Sequence, residues 1–304
     1  MPRTHDRNHF YKFATLGGAR AMITERTLKW SSPLLFNDPF DTQTRLVADL
    51  DPEAFAARFA ELYSSILMDD PIPDYIGVHA PLHAVALYMR ENFSPAQKAE
   101  AIETVRLGAL RTAAEADDQL AKFSDEISKQ LHHGRAICLA EEINNVVMWS
   151  HYADNHRGVG FKFRVLDAID HVFLIARKVR YADEYIRLID GRAFVDHLFG
   201  AGGLDIAALC WELVYLKHQD WQYEKEWRCY KPLLDEPAGD GIEYWPNPPE
   251  LFEAVYLGCC MREEEEREIV DLVKLHLPQT KIFRAKKSNR SFDLEFDEVY
   301  VPGT

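Results

Sequence analysis

Between Pro52 and about His133 the chain is dominated by alanine, leucine and charge, and the stretches on either side carry the patterns of strands. This interruption limits the fold more than any other feature. It points to α+β: a mixed or antiparallel sheet core with a helical insertion at about 51–133. Breaks at Asp69-Asp-Pro-Ile-Pro73 and at Ser94-Pro95 divide the insertion into three or four helices, with Ser94 a good N-cap and Pro95 a good first-turn residue. The 304 residues read as a single domain carrying that insertion, and the pattern leaves open whether the insertion folds on its own.

Before the insertion, Phe10–Phe13 reads as a strand. Leu16, Ala19, Ile23 and Thr27 have helical spacing, and Leu28–Trp30 reads as a second strand. Ser31–Asp41 is turn-rich, because Asp38 precedes Pro39 and is disfavoured in helix. After the insertion, Arg135–Leu139 is a strand, and Val159, Phe161, Phe163 and Val165 alternate with polar or small residues in a half-buried one. Further strands are expected at 172–181, 253–257, 281–285 and at Phe292, Leu294 and Phe296, with helices at about 183–199, 204–217 and 262–276.

Trp221–Tyr230 splits at period two. Trp221, Tyr223, Lys225 and Trp227 fall on one face, and Gln222, Glu224, Glu226 and Arg228 on the other. A strand sets Glu224 beside Glu226, whereas a helix would swing them about 200° apart. Two carboxylates and a guanidinium on one pleat are costly unless they face water or a ligand, so this face is the leading candidate for a working surface.

Lys plus Arg is 35 against 49 Asp plus Glu, a formal charge of −14. That field opposes nonspecific binding to nucleic acid or an anionic membrane, although Arg284–Arg290 places four basic residues in seven and is a local candidate for nucleic-acid contact. No window approaches 18 apolar residues, and the first eight residues lack the apolar stretch of a signal peptide. The five cysteines are scattered without a CxxC pair. These features read as reduced thiols in a soluble cytoplasmic protein with no membrane partner. His79 and His83 lie one turn apart on a helix, but no third ligand completes a zinc pattern, and no metal site is assigned.

Six landmarks follow in order: Tyr11-Lys-Phe13, Leu28-Lys-Trp-Ser-Ser-Pro33, Phe36-Asn-Asp-Pro-Phe-Asp41, Met148-Trp-Ser-His-Tyr-Ala-Asp154, Arg157-Gly158 and Trp221-x-x-Glu-x-Glu-Trp-Arg228. Together they resemble the bacterial domain of unknown function family numbered 2971. They lie between about 10 and 230, with 51–133 unmatched. Where the family has a Cys-Phe-Ser-like strand end, this chain has Cys138-Leu-Ala140, so no hydroxyl serves at 140.

The Glu-x-Glu is also similar to the motif of ADP-ribosyltransferases. That resemblance implies NAD as substrate, with Glu226 as catalytic carboxylate and Glu224 orienting an acceptor. It also implies Tyr11 or Lys12 on the NAD-ribose side, in place of the usual His or Arg. An aromatic stacking on nicotinamide would come from Trp30 or Tyr152. The physical need is a fixed negative charge beside a developing positive one. A toxin or phage-defence effector would fit such chemistry.

Three further groups invite a role. In Asn37–Asp41 the Asn and Asp side chains can bond neighbouring amides while Pro39 fixes the turn, and Phe36 and Phe40 would pin the loop into the core. Alternatively Asp38 or Asp41 projects toward the glutamates. Four converging carboxylates would suit Mg²⁺ or Mn²⁺ and phosphodiester hydrolysis. In Trp149–Tyr152, capped by Asn144 or Asn145, Ser150 and His151 point about 100° apart and make no dyad, but His151 could donate to a phosphate or ribose. Arg228 completes the ligand-facing set. The readings are therefore an ADP-ribosyltransferase-like enzyme, a metal-dependent nuclease using Asp38, Asp41, Glu224 and Glu226, or a non-catalytic binding module.

Overall fold

The computed structural model describes residues 1–42, 47–69, 71–74, 81–184, 187–200, 205–233 and 239–303; His79 lies outside them. Strand β1 (His9–Ala14) stops at Thr15, whose hydroxyl accepts from the Gly18 amide and so starts helix α1 (Leu16–Thr24). Strands β2 (Thr27–Ser31) and β3 (Val47–Asp49) follow. The insertion supplies α2 (Pro52–Met68), α3 (Pro81–Asn92), α4 (Pro95–Ala114) and α5 (Ala116–His133). Asp51 caps α2, and Ser94 forms a capping box with Gln97 on α4, each followed by a proline at the first helical position.

Strand β4 (Arg135–Ala140) leads to α6 (Val146–Tyr152), capped by Asn145 through the amides of Val147 and Met148. Next come β5 (Val159–Arg164), β6 (Arg177–Lys178), β7 (Arg180–Ala182), β8 (Arg187–Asp190), α7 (Gly191–Leu198) and α8 (Ile206–Val214). The chain closes with β9 (Leu216–His218), β10 (Glu226–Lys231), β11 (Ile242–Pro246), β12 (Phe252–Leu257), α9 (Glu263–His276), β13 (Lys281–Lys287) and β14 (Leu294–Tyr300).

Two compact units result. The first, Met1–Thr42, Gln130–Asp183 and Val214–Thr304, is built on a sheet in the order β11-β2-β4-β1-β5-β12-β13-β14, with β10 on the other edge of β4 and β6 beyond it. The β12–α9–β13 crossover makes one parallel pair in an otherwise antiparallel sheet. One face packs Phe10, Leu139, Phe161, Phe163 and Trp227 with Ile269 and Val273 of α9. The other carries Tyr11, Phe13 and Tyr256 with Met148 and Trp149 of α6. The second unit, Gln43–Lys129 and Glu184–Leu213, centres on α2, whose Phe55, Leu62 and Ile66 repeat at helical spacing and pack with Ala109, Ala113, Val195 and Phe199. Among the described residues no helix is long and apolar enough to cross a membrane.

The α+β reading and the helical insertion hold, and four local expectations change; one is the helix expected at about 204–217, which ends at Val214 before strand β9 at Leu216–His218. The strand expected at 172–181 is a 3₁₀ turn at Val172–Ile175 followed by β6 and β7. The helix expected from 183 begins at Gly191, because Arg187–Asp190 pairs in parallel with β3, a partner distant in sequence. The strand expected over 221–230 starts only at Glu226. Gln219–Glu224 is a 3₁₀ helix, and Lys225 takes a left-handed conformation, φ 45°.

Gly158, a landmark position, sits where backbones nearly touch. A Cβ there would lie 2.2 Å from the Ala14 carbonyl oxygen, and its own carbonyl accepts from the Gly258 amide at 3.0 Å. Just before it, Asp154, Asn155 and His156 all have positive φ, a left-handed turn that brings the chain from α6 into β5. Gly158→Ala is expected to cost about 1–3 kcal/mol, read as a lower urea midpoint, because a methyl group has no space to enter. An unchanged midpoint would show that the two strands separate freely.

Candidate functional site

A cleft of about 250 Å³ lies wholly within the first unit. Its lining includes Tyr11 and Lys12 of β1, Asn37 and Asp41 from the loop after β2, Tyr152 of α6, Lys217 of β9, and Glu224 and Glu226. Four stretches far apart in sequence, 11–12, 37–41, 152 and 217–226, therefore meet at one place.

The geometry of this meeting is local before it is tertiary. In the loop after β2, Asp38 Oδ1 accepts from the Phe40 amide at 2.9 Å, and the Asp41 amide donates to the Asp38 carbonyl at 3.2 Å. This tight turn presents Asp41 inward. On the opposite wall, the left-handed Lys225 joins the 3₁₀ helix to β10, so Glu224 and Glu226 converge although only Glu226 is on a strand. Strand β9 pairs with β7 in parallel and delivers Lys217 between them.

Arg228 is fully buried, and all five of its N–H donors have partners. Nη1 and Nη2 donate to the two Asp41 oxygens at 2.8 Å each. Nε and Nη2 donate to Glu226 at 2.8 and 3.1 Å, and Nη1 also donates to the Val214 carbonyl at 2.7 Å. The Phe36 ring lies 5.1 Å from the guanidinium. Lys217 Nζ sits 2.6 Å from Glu224, 3.3 Å from Glu226 and 3.7 Å from Asp41, with the Trp221 ring 4.7 Å away. Tyr152 donates its hydroxyl proton to Glu224 Oε1 and accepts from Asn37 Nδ2 at 3.2 Å.

These surroundings separate the two glutamates. Burial alone would raise the pKa of Glu226, but Arg228 and Lys217 outweigh it and push the value down to about 2. Burial and the neighbouring Glu226 charge raise Glu224 above the usual carboxylate range. One carboxyl group is thus held ionised and its neighbour takes a proton more readily, the arrangement by which sites assign acid and base roles. A carboxylate with a depressed pKa contributes stability that is complete above its unfolded value of 4.5 and is lost as pH falls toward 2. The stability advantage of wild type over Glu226→Gln should therefore shrink by about 3 kcal/mol between pH 5 and pH 2, measured by urea denaturation. A constant difference would show that folding does not depress the Glu226 pKa.

Several expectations need correction. The acidic face was expected to look to water or a ligand, but it is matched chiefly by Lys217 and Arg228 from within the chain, so Arg228 has no N–H left for a ligand. Of the four acids expected to converge, Asp41, Glu224 and Glu226 do, and the ammonium of Lys217 lies among them. Asp38 does not join them. One of its oxygens caps its own turn and the other is buried without a hydrogen-bond partner. Among the described residues no group of three or more His, Cys, Asp or Glu is placed to hold a metal ion.

Trp30 is buried in the core against Trp245, ring centroids 5.2 Å apart, and lines no part of the cleft. Phe36 is half-buried, as a pinning residue should be, but Phe40 is 59% exposed. His151 is exposed, 2.9 Å from the Tyr223 hydroxyl through Nδ1, next to the cleft rather than in it. In the basic stretch, Arg284 pairs with Glu266, and Lys286 pairs with Asp297 at 2.8 Å.

The lining residues missed from sequence are Lys217 and the apolar Phe13, Leu35 and Met148. The one available signal for Lys217 was its place after Tyr215-Leu216, a charge set directly in an apolar run.

No curated protein and no solved structure matches the chain. Residues 148–229 match the model of a protein family described as a protein of unknown function, DUF2971, as the later landmarks indicated, and that stretch carries Tyr152, Lys217, Glu224, Glu226 and Arg228 of the cleft and its supporting network.

Proposed function

We propose that the cleft is the active site of an ADP-ribosyltransferase-like enzyme that uses NAD. The observation that carries this reading is the convergence of Tyr11, Lys12, Asn37, Asp41, Tyr152, Glu224 and Glu226 on one cleft, from segments with no sequence proximity. Glu226 is the fixed negative charge. Its ion pairs hold it ionised and immobile, so it faces the positive charge that develops at the anomeric carbon without reorganising. Glu224, which accepts from Tyr152 and Lys217 and has a raised pKa, takes the proton from the acceptor as the new bond forms. Tyr11 and Lys12 stand on the ribose side, and Tyr152 is the cleft's aromatic ring within reach of the glutamates.

Charge balance sets a limit on this mechanism. Asp41, Glu224 and Glu226 against Lys217 and Arg228 leave one negative charge when every group is ionised. Glu224 accepts the acceptor's proton only while it is deprotonated, so activity should rise with pH through the raised pKa of Glu224. A cytoplasmic defence or toxin role fits such an activity.

Incubation with NAD labelled on the adenylate, with cell lysate, RNA and DNA each offered as acceptor, tests the reading. Release of nicotinamide with label on one acceptor is the expected result. Intact NAD in all three would end it.

A further inference from the structure

The sheet divides at β4. On one edge of that strand, Tyr11 of β1 pairs with Ala140 and Ser31 of β2 pairs with Ala136, so the two partners leave Cys138 between them. The Lys12 amine enters this gap and donates to the Cys138 carbonyl at 3.0 Å. Lys12 also lines the cleft.

Its situation differs from that of the other two cations. Arg228 and Lys217 are saturated by three carboxylates, whereas Lys12 makes no ion pair among the described residues. The titratable groups whose charge reaches it are Cys138 on β4, Glu226 and Cys229 on β10, and Lys29 on β2. Burial raises both thiols, so they stay neutral, and Lys29 repels a charged amine. Glu226 is the one anion of the four, and it already holds Arg228 and Lys217. The three carboxylates of the network are held by Lys217 and Arg228, and none of them pairs with Lys12 among the described residues. Burial accordingly lowers the Lys12 pKa.

We propose that Lys12 is a nucleophilic amine that condenses with a small aldehyde or ketone entering the cleft. The nitrogen lone pair forms the bond to the carbonyl carbon, and the amine proton passes to the carbonyl oxygen to give a carbinolamine. Loss of that hydroxyl as water, with a proton supplied through Glu224, leaves the iminium, and return of its N–H proton to the Glu224 carboxylate gives the imine. The Cys138 carbonyl holds the amine in place by accepting one N–H, which leaves the lone pair free to point into the cleft. This chemistry stands apart from NAD turnover and is tested without NAD.

Isotopically labelled formaldehyde with cyanoborohydride converts an imine to a methylated amine, and peptide mass mapping counts the label at each lysine. At pH 6.5 Lys12 should be methylated faster than exposed Lys122, because a lowered pKa leaves a larger neutral fraction. Lys217, in the same cleft but ion-paired, should stay unlabelled, and the advantage of Lys12 should vanish in guanidinium. The Lys12→Met variant should lose that label and no other. Labelling of Lys12 at or below the rate of Lys122 in the folded protein overturns the proposal, whether the cause is a retained proton or a closed path.

Discussion

Arg228→Met is expected to lower the unfolding free energy by about 3–5 kcal/mol. The methionine itself fits a buried site. The loss comes from Asp41 and Glu226, which keep their burial and lose their bidentate partner. Lys217 is left to neutralise three acids alone. Urea denaturation reads the effect directly. The same logic makes the variants non-additive: Glu226→Gln should cost less in the Arg228→Met background than in wild type, because it then removes an unmatched charge. A loss below about 1 kcal/mol for Arg228→Met, or strict additivity with Glu226→Gln, would show that water reaches the network and the ion pairs are not buried in solution.

Glu224→Gln separates chemistry from architecture. Glutamine keeps the size of the side chain and an acceptor for Lys217, and Lys217 retains Glu226 and Asp41, so the fold should persist with a melting temperature within a few degrees of wild type. What glutamine cannot do is exchange a proton. Transfer of ADP-ribose to the acceptor should fall by about 10²–10⁴-fold in kcat with little change in KM for NAD. Tyr152→Phe should give a smaller loss and raise the pH at which activity rises, because the lost hydroxyl donates to the Glu224 carboxylate and favours its ionised form. Transfer by Glu224→Gln within about threefold of wild type would remove Glu224 from the chemistry.

Much of the molecule was legible in its residues, and the illegible part has a consistent cause. Ser94 with Pro95, Asn145 before α6 and the alternation in Val159–Arg164 each produced the expected element, because a cap or a periodic face depends on residues a few positions away. Trp221–Tyr230 misled for the same reason in reverse. Its period-two pattern is sound from Glu226 onward, but the first four residues turn as a 3₁₀ helix and a left-handed Lys225 breaks the strand. The two glutamates were still paired correctly, since that turn returns Glu224 to the side of Glu226. Asn37–Asp41 was read both as a turn and as a carboxylate source, and it is both: Asp38 makes the turn and Asp41 reaches the network.

Short-range patterning therefore settled most of the helices and strands, the α+β class and the pairing of two acids at residues 224 and 226. It could not supply the counter-charge. Lys217 meets Glu224 and Glu226 because β9 lies against β7, and Asp41 meets Arg228 across 187 positions of sequence. Strand pairing and loop closure made those contacts, and no local periodicity encodes them. Burial then decided the electrostatics, because charges that would be hydrated and independent in an open chain become one network once water is excluded.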